Sequence, residues 1–274
     1  LCFFKEDLMI KVIVCLLLVG YFVQSQQIPS GFNLIHSAKG VKMYKKDYAG
    51  GQPDYIQVVD LSAGARIKLL HGKITNSGTG QGVYKGDNPE FLREWLKYFW
   101  NKLTSDSKAF SIINGQFFST NDDPTKLAFP VKINGKVVSD GYGIGEYKYQ
   151  KLMLEIWASH VCISNLSERN LYNSSAPNII IGLTEDADKG YSNYTGRTFI
   201  GIMDQDSDGY CEIVLIFNSK YSRQYDAGSI LRCFGAKKIV MFDGGGSTQL
   251  ICKGISYINS SRKIPQTIGI LSCK

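Results

Sequence analysis

From Tyr55 onward the chain is a succession of short runs rich in Val, Ile and aromatic residues, each bounded by Gly, Asn, Asp or Ser. The runs are Tyr55–Leu61, Ala65–His71, Ala109–Asn114, Phe129–Ile133, Lys136–Ser139, Leu152–Ala158, Asn178–Leu183, Arg197–Met203, Glu212–Asn218, Lys238–Asp243, Gln249–Cys252 and Thr267–Leu271. Segments of this length and composition predict strands. Ile133-Asn134-Gly135-Lys136 predicts a two-residue hairpin turn, because Asn-Gly supplies the positive φ that both central residues need. Two stretches predict helices. Asn88, Pro89 and Glu90 form a start signal, after which Phe91, Trp95, Phe99 and Leu103, with Leu92, Leu96 and Trp100, recur at helical spacing. The second is expected from about Asp226 to Phe234, with Ile230, Leu231 and Phe234 inward and Gly235 as its stop. Residues 26–54 carry few strong signals, and Ser164–Ala176 reads as loop. The expected class is α+β: a large mixed β-sheet with a few packing helices, in a single globular domain.

Charge and the N-terminal segment bound the setting. The 31 Lys+Arg against 24 Asp+Glu give a net charge of +7, spread along the chain. A dispersed excess is not the clustered basic footprint of a nucleic-acid binder, so no nucleic-acid partner is expected; it suits an anionic substrate or a cell-surface polymer. Met9, Ile10 and Lys11 lead into the almost wholly apolar Val12–Val23, and Val23-Gln24-Ser25 resembles a peptidase site. Residues 1–25 therefore read as a signal peptide with an upstream extension, with an uncleaved anchor as the rival and the sole expected membrane contact. The expected localisation is export: secreted, periplasmic or cell-surface. Cys162, Cys211, Cys233, Cys252 and Cys273 follow that segment without any CxxC, which argues against a zinc ribbon or a thioredoxin-like site. A Cys252–Cys273 staple and buried reduced thiols are equal alternatives. Asn165, Asn173, Asn193 and Asn259 open glycosylation sequons.

The chemistry concentrates where apolar strands run into polar, glycine-rich ends. Ile239-Val240-Met241-Phe242 is followed by Asp243-Gly244-Gly245-Gly246-Ser247-Thr248. Consecutive glycines let the backbone approach a ligand, and successive N–H groups can form an anion-binding concavity. With an acid before and two hydroxyls after, the segment reads as a site rather than a tight structural turn. Ile112-Ile113 likewise runs into Asn114-Gly115-Gln116-Phe117-Phe118, where the aromatics wall a pocket or fill the core. Arg197 and Thr198 open a third apolar strand that continues to Gly201; a guanidinium there can clamp a phosphate or form a surface ion pair. Gly78–Gly82 and Gly141–Gly145 are glycine-rich without the Gly-Lys-Ser/Thr of a phosphate loop and read as flexible loops bordering a cleft.

Together the three strand ends resemble the phosphodiester glycosidase family, over roughly residues 105–272 and in the family's order. The matching residues are Asn114, Gly115, Phe117 and Phe118, then Arg197, Thr198 and Gly201, then Asp243, Gly244, Gly245, Gly246 and Ser247 with Thr248. Gln116 departs from the small residue usual there, which narrows the pocket or changes the substrate. Residues 26–104 have no family match, so the chain divides into that N-terminal part and a family-like region, 105–274. The resemblance implies hydrolysis of a glycosidic bond to phosphate, with a sugar phosphodiester or polysaccharide as partner and no organic cofactor. It implies Asp243 as base or transition-state stabiliser, Arg197 and the glycine-loop N–H groups as phosphate binders, and Asn114 and Thr198 as positioners. Phosphate leaves readily, so one obvious carboxylate suffices where ordinary glycoside hydrolysis uses two. A non-catalytic carbohydrate-binding or cell-envelope protein on the same fold is the alternative.

A separate stretch, Asp204-Gln205-Asp206-Ser207-Asp208-Gly209-Tyr210-Cys211-Glu212, has acids at alternate positions followed by Gly, as in a calcium loop. Asp204, Asp206 and Asp208 would ligate by side chain, Tyr210 by its carbonyl and Glu212 by carboxylate. Leu215 occupies the position where a full EF-hand needs an acid, so structural calcium is weighed against an acidic hairpin.

Overall fold

The computed structural model describes residues 28–77 and 88–273. The expected signal segment at 1–25 and the Gly78–Gly82 loop lie outside the described residues. In chain order the elements are β1 (Asn33–Ala38), β2 (Val41–Lys46), β3 (Asp54–Asp60), β4 (Arg66–His71), β5 (Ile74–Asn76), β6 (Glu90–Phe91), α1 (Leu96–Leu103), β7 (Ala109–Asn114), β8 (Thr125–Lys126), β9 (Val131–Ile133), β10 (Lys136–Ser139), β11 (Lys151–Ile156), β12 (Val161–Asn165), α2 (Glu168–Asn173), β13 (Asn178–Leu183), β14 (Thr195–Met203), β15 (Ile213–Ser222), α3 (Gln224–Cys233), β16 (Lys238–Met241), β17 (Leu250–Cys252), β18 (Ile255–Ile258) and β19 (Gln266–Leu271).

The α+β expectation is corrected: the fold is mainly β, with 44% strand and 11% helix among the described residues. Nor is the large sheet mixed, since every strand pairing among the described residues is antiparallel. Two misread segments account for most of the difference. Residues 26–54 hold the β1–β2 hairpin, an edge whose Lys42 faces outward while Val41 and Met43 are buried. The helix expected from Asn88 begins only at Leu96, because Glu90 and Phe91 pair with β5 and β8 instead. Sheet pairing satisfies the apolar Phe91 that the helical spacing had claimed.

The largest sheet runs β1-β2-β3-β15-β14-β16-β13-β11-β12, with β9 and β10 attached beside β13. A five-stranded sheet, β18-β17-β7-β19-β4, faces it. Side-chain alternation sorts the central strands onto two cores. Ile200, Val214, Ile216 and Val240 face the smaller sheet, where they meet Ile112, Ile268 and Ile270. Phe199, Leu215, Phe217, Ile239 and Met241 face the other way, toward Leu231 of α3 and Phe234 just after it. Burial on both faces explains why these strands read as continuous apolar runs. Asn134 and Gly135 carry φ of 50° and 81°, the values the expected hairpin between β9 and β10 requires.

Candidate active site

The ends of β7, β14 and β16 meet at one edge of the two-sheet stack, although β7 belongs to the smaller sheet. The Asn114 amide lies at the centre of the junction. Asn114 Nδ2 donates to the Asp243 carbonyl at 2.6 Å, and Asn114 Oδ1 accepts from the Thr198 hydroxyl at 2.9 Å and from the Gln249 N–H at 3.2 Å. Asn218 donates to the same hydroxyl at 3.2 Å, and the Asp243 N–H donates to the Gly115 carbonyl at 3.1 Å. Asn114 and Thr198 are fully enclosed. They fix the backbone around Asp243 and do not face open space.

Asp243 follows β16 and lines a pocket of about 210 Å³ together with Phe117, Lys189, Thr195, Arg197, Gly244 and Gly245. The Gly244 N–H donates to its carboxylate at 2.9 Å, and the Ser247 hydroxyl is a further partner. Burial pushes the carboxyl up to about 6, against the opposing pull of Ser247, the Gly244 N–H and the charges of Arg262 and Lys189. A carboxyl poised there can exchange a proton near neutral pH.

The glycines allow a backbone-to-backbone approach. A Cβ on Gly244 would stand 2.6 Å from the Gly196 carbonyl oxygen, and one on Gly196 would stand 2.3 Å from the Gly245 carbonyl and 2.6 Å from Thr248 Oγ1. The chain then tightens into a 3₁₀ turn over Gly245–Ser247. Ser247 and Thr248 are buried, and Ser247 Oγ accepts from Arg262 Nη1 at 3.2 Å. Thr248 Oγ1 has no partner. Gly246 is exposed, with the Arg262 guanidinium beside it.

The remaining expected residues divide. Gly115 has no room for a Cβ, which would fall 1.9 Å from Gln266 Oε1. Gln116 is buried, its N–H donating to Gln266 and its Oε1 accepting from the Phe117 N–H; it is not among the residues lining the pocket. Phe117 walls the pocket, with Lys189 Nζ 5.2 Å above its ring. Phe118 is buried and bridges to Leu127, so it belongs to the core. Arg197 is 3% exposed, and its guanidinium N–H groups are spent on protein acceptors: the carbonyls of Ser222, Lys189, Gly190 and Asn193 and Oε1 of Gln224. It tethers the 189–193 loop, and through that loop it places Lys189.

The cations that act electrostatically on Asp243 are thus Lys189 and Arg262, which the sequence reading missed. Both sit in polar loops without periodicity; only the folded contacts single them out. The acidic stretch lies at the other end of β14, in the turn to β15. One carboxylate oxygen each of Asp204, Asp206, Asp208 and Glu212 falls within 4.8 Å of the others. Asp204 Oδ1 is buried without a partner. Such hard oxygens form a set able to hold a divalent cation. Tyr210 is in the same turn, its ring 5.1 Å from that of His160. Cys162, Cys211, Cys233, Cys252 and Cys273 are all free thiols.

No protein-family model and no curated protein sequence matches the chain. Solved structures do resemble it. The catalytic domain of zebrafish N-acetylglucosamine-1-phosphodiester α-N-acetylglucosaminidase, auto-inhibited by its pro-peptide, aligns with a TM-score of 0.60 at 15% identity, covering 93% of this chain and 94% of that one. A hypothetical protein from Synechocystis aligns with a TM-score of 0.48 at 12% identity, covering 89% of this chain and 64% of that one. A protein of Burkholderia pseudomallei K96243 inferred to be exported gives 0.48 at 12%, covering 80% and 74%. The first of these likenesses establishes a shared fold.

Proposed function

We propose that the protein is an exported hydrolase that cleaves the glycosidic bond of a sugar-1-phosphodiester at Asp243. The observation that carries the reading is one acid, its carboxyl pushed up to about 6, in a small pocket lined by Lys189 and within the field of Arg262 behind the glycine turn. That charge pattern suits a phosphodiester: the cations take the anionic group, and the acid serves the sugar carbon bonded to it. The fold shared with a protein named as a phosphodiester glucosaminidase supports the same chemistry.

In this reaction the bond between the anomeric carbon and the bridging oxygen breaks, and the phosphomonoester departs with the electron pair. Water supplies the hydroxyl to the anomeric carbon, and ionised Asp243 takes the proton that water releases. Lys189 and Arg262 offset the charge gathering on the leaving phosphate. Phe117 offers an apolar wall to the sugar. Asn114, Thr198 and Arg197 act as positioning residues, because their polar groups are committed to the strand ends and the 189–193 loop.

Release of reducing sugar from a panel of sugar-1-phosphodiesters tests the proposal. Turnover that disappears in Asp243→Asn supports it. Turnover retained in that variant removes Asp243 from the chemistry, and binding without hydrolysis by the parent protein favours a carbohydrate-binding role on the same fold. We also propose calcium as the ion suited to Asp204, Asp206, Asp208 and Glu212, in a structural role remote from the Asp243 pocket.

A further inference from the structure

We infer that a second pocket, beside α3, binds a neutral saccharide residue. Its volume is about 530 Å³, against about 210 Å³ for the pocket at Asp243. The walls come from the segment after β2, the start of β3, the residue before β14, the end of β15 and the first turns of α3. Three tyrosines shape it, Tyr48, Tyr194 and Tyr221, and they stay 41%, 50% and 56% exposed. The rings of Tyr194 and Tyr221 stack with centroids 5.1 Å apart and planes 22° from parallel. Tyrosines held open in a concave surface present apolar faces with polar tips, the make-up of a ligand site.

Charge decides the class of ligand. The pocket has two carboxylates, and each is already engaged by a protein partner. Asp226 is paired with Arg223 through contacts of 2.7 and 3.0 Å. Asp54, 4% exposed, accepts from the Tyr48 hydroxyl at 2.7 Å and feels the charge of Lys46. The ring faces that would attract a cationic ligand hold the protein's own cations: Arg223 lies 5.3 Å over Tyr194 and Lys46 lies 5.2 Å over Tyr48. A charged occupant therefore finds both carboxylates and two of the three ring faces already engaged by the protein. A pyranose ring fits the remainder, with its C–H face against the outer face of Tyr221, over which no protein cation sits among the described residues, and hydroxyls toward Gln52 and Ser229.

This pocket also adjoins the proposed active site. Tyr194 precedes Thr195, which lines the Asp243 pocket, and Arg197, another residue of that pocket, donates through Nε to the carbonyl of Ser222, a residue of the second one. The inference does not require that Asp243 be catalytic.

Isothermal titration of the full chain with maltotriose, cellotriose, chitotriose and mannotriose tests it. At least one should bind. Tyr194→Ala and Tyr221→Ala should each weaken that binding about tenfold, while Tyr221→Phe, which keeps the ring, stays close to the parent. Tyr225→Ala, on the exposed side of α3 outside the pocket, should bind as the parent does. Thermal melting of each variant separates lost binding from lost folding. The inference is overturned if none of the four saccharides binds, if the alanine variants bind unchanged while folded, or if choline displaces the bound sugar.

Discussion

Replacing Asp243 with Asn is expected to stabilise the protein above pH 6 while abolishing turnover. The carboxyl moves from its ordinary 3.8 to about 6 on folding, mainly because burial penalises its charge. Between those two values the folded chain holds a proton that the unfolded chain has released. Stability from this group therefore falls as pH rises through the window and reaches its floor above 6. The interval corresponds to about 3 kcal/mol, at about 1.36 kcal/mol per pH unit. Asparagine has no proton to lose, and its oxygen can still accept from the Gly244 N–H, so the variant should escape the fall. For a chain of this length about 1 kcal/mol moves the melting temperature by roughly 2 °C, so the gap between variant and parent should approach about 6 °C at high pH. The assay is thermal unfolding of both proteins from pH 4 to pH 8. The gap should be small at pH 4 and open progressively to pH 7. A gap that does not vary with pH, or a variant less stable than the parent at pH 8, refutes the account of a carboxyl penalised by burial.

Further outcomes follow from neighbouring contacts. As a base, Asp243 must be ionised, so kcat/KM on a sugar phosphodiester should rise with pH through about 6; a fall over that range would assign it the role of acid. Gly196→Ala forces a methyl against the Gly245 carbonyl and Thr248 and should cost about 1–3 kcal/mol in urea unfolding, with activity lost alongside. Arg197→Lys leaves loop carbonyls short of donors, so it should cost about 1–3 kcal/mol and raise KM more than it lowers kcat, because Lys189 loses its tether. Added calcium should raise the melting temperature, and Asp204→Asn should remove that response; identical midpoints with calcium and with chelator would argue against an ion at that turn.

Much of the fold was legible because a strand carries its signature in consecutive residues. Ala109–Asn114, Lys136–Ser139 and Asn178–Leu183 were bounded as they occur, since apolar runs closed by Gly, Asn or Ser have few other uses. The Asn134-Gly135 turn was equally local. The start of α1 was not, because whether Phe91 joins a helix or a sheet depends on β5 and β8, which lie elsewhere in the chain. The β1–β2 hairpin escaped for a related reason: its alternation breaks in β2, where Tyr44 is buried on the face of exposed Lys42 and Lys45 follows Val41 and Met43 on the other.

The same division holds at the site. Local sequence determined that Asp243 follows a buried strand and opens a glycine turn, because steric freedom and strand polarity are properties of neighbouring residues. Tertiary structure alone decided what surrounds that acid. It turned Arg197 and Asn114 to internal bonds and brought Lys189 and Arg262 up from loops with no pattern of their own. Electrostatic fields and pocket walls are set by distances through space, and those distances exist only once two sheets and their connecting loops have closed around one edge.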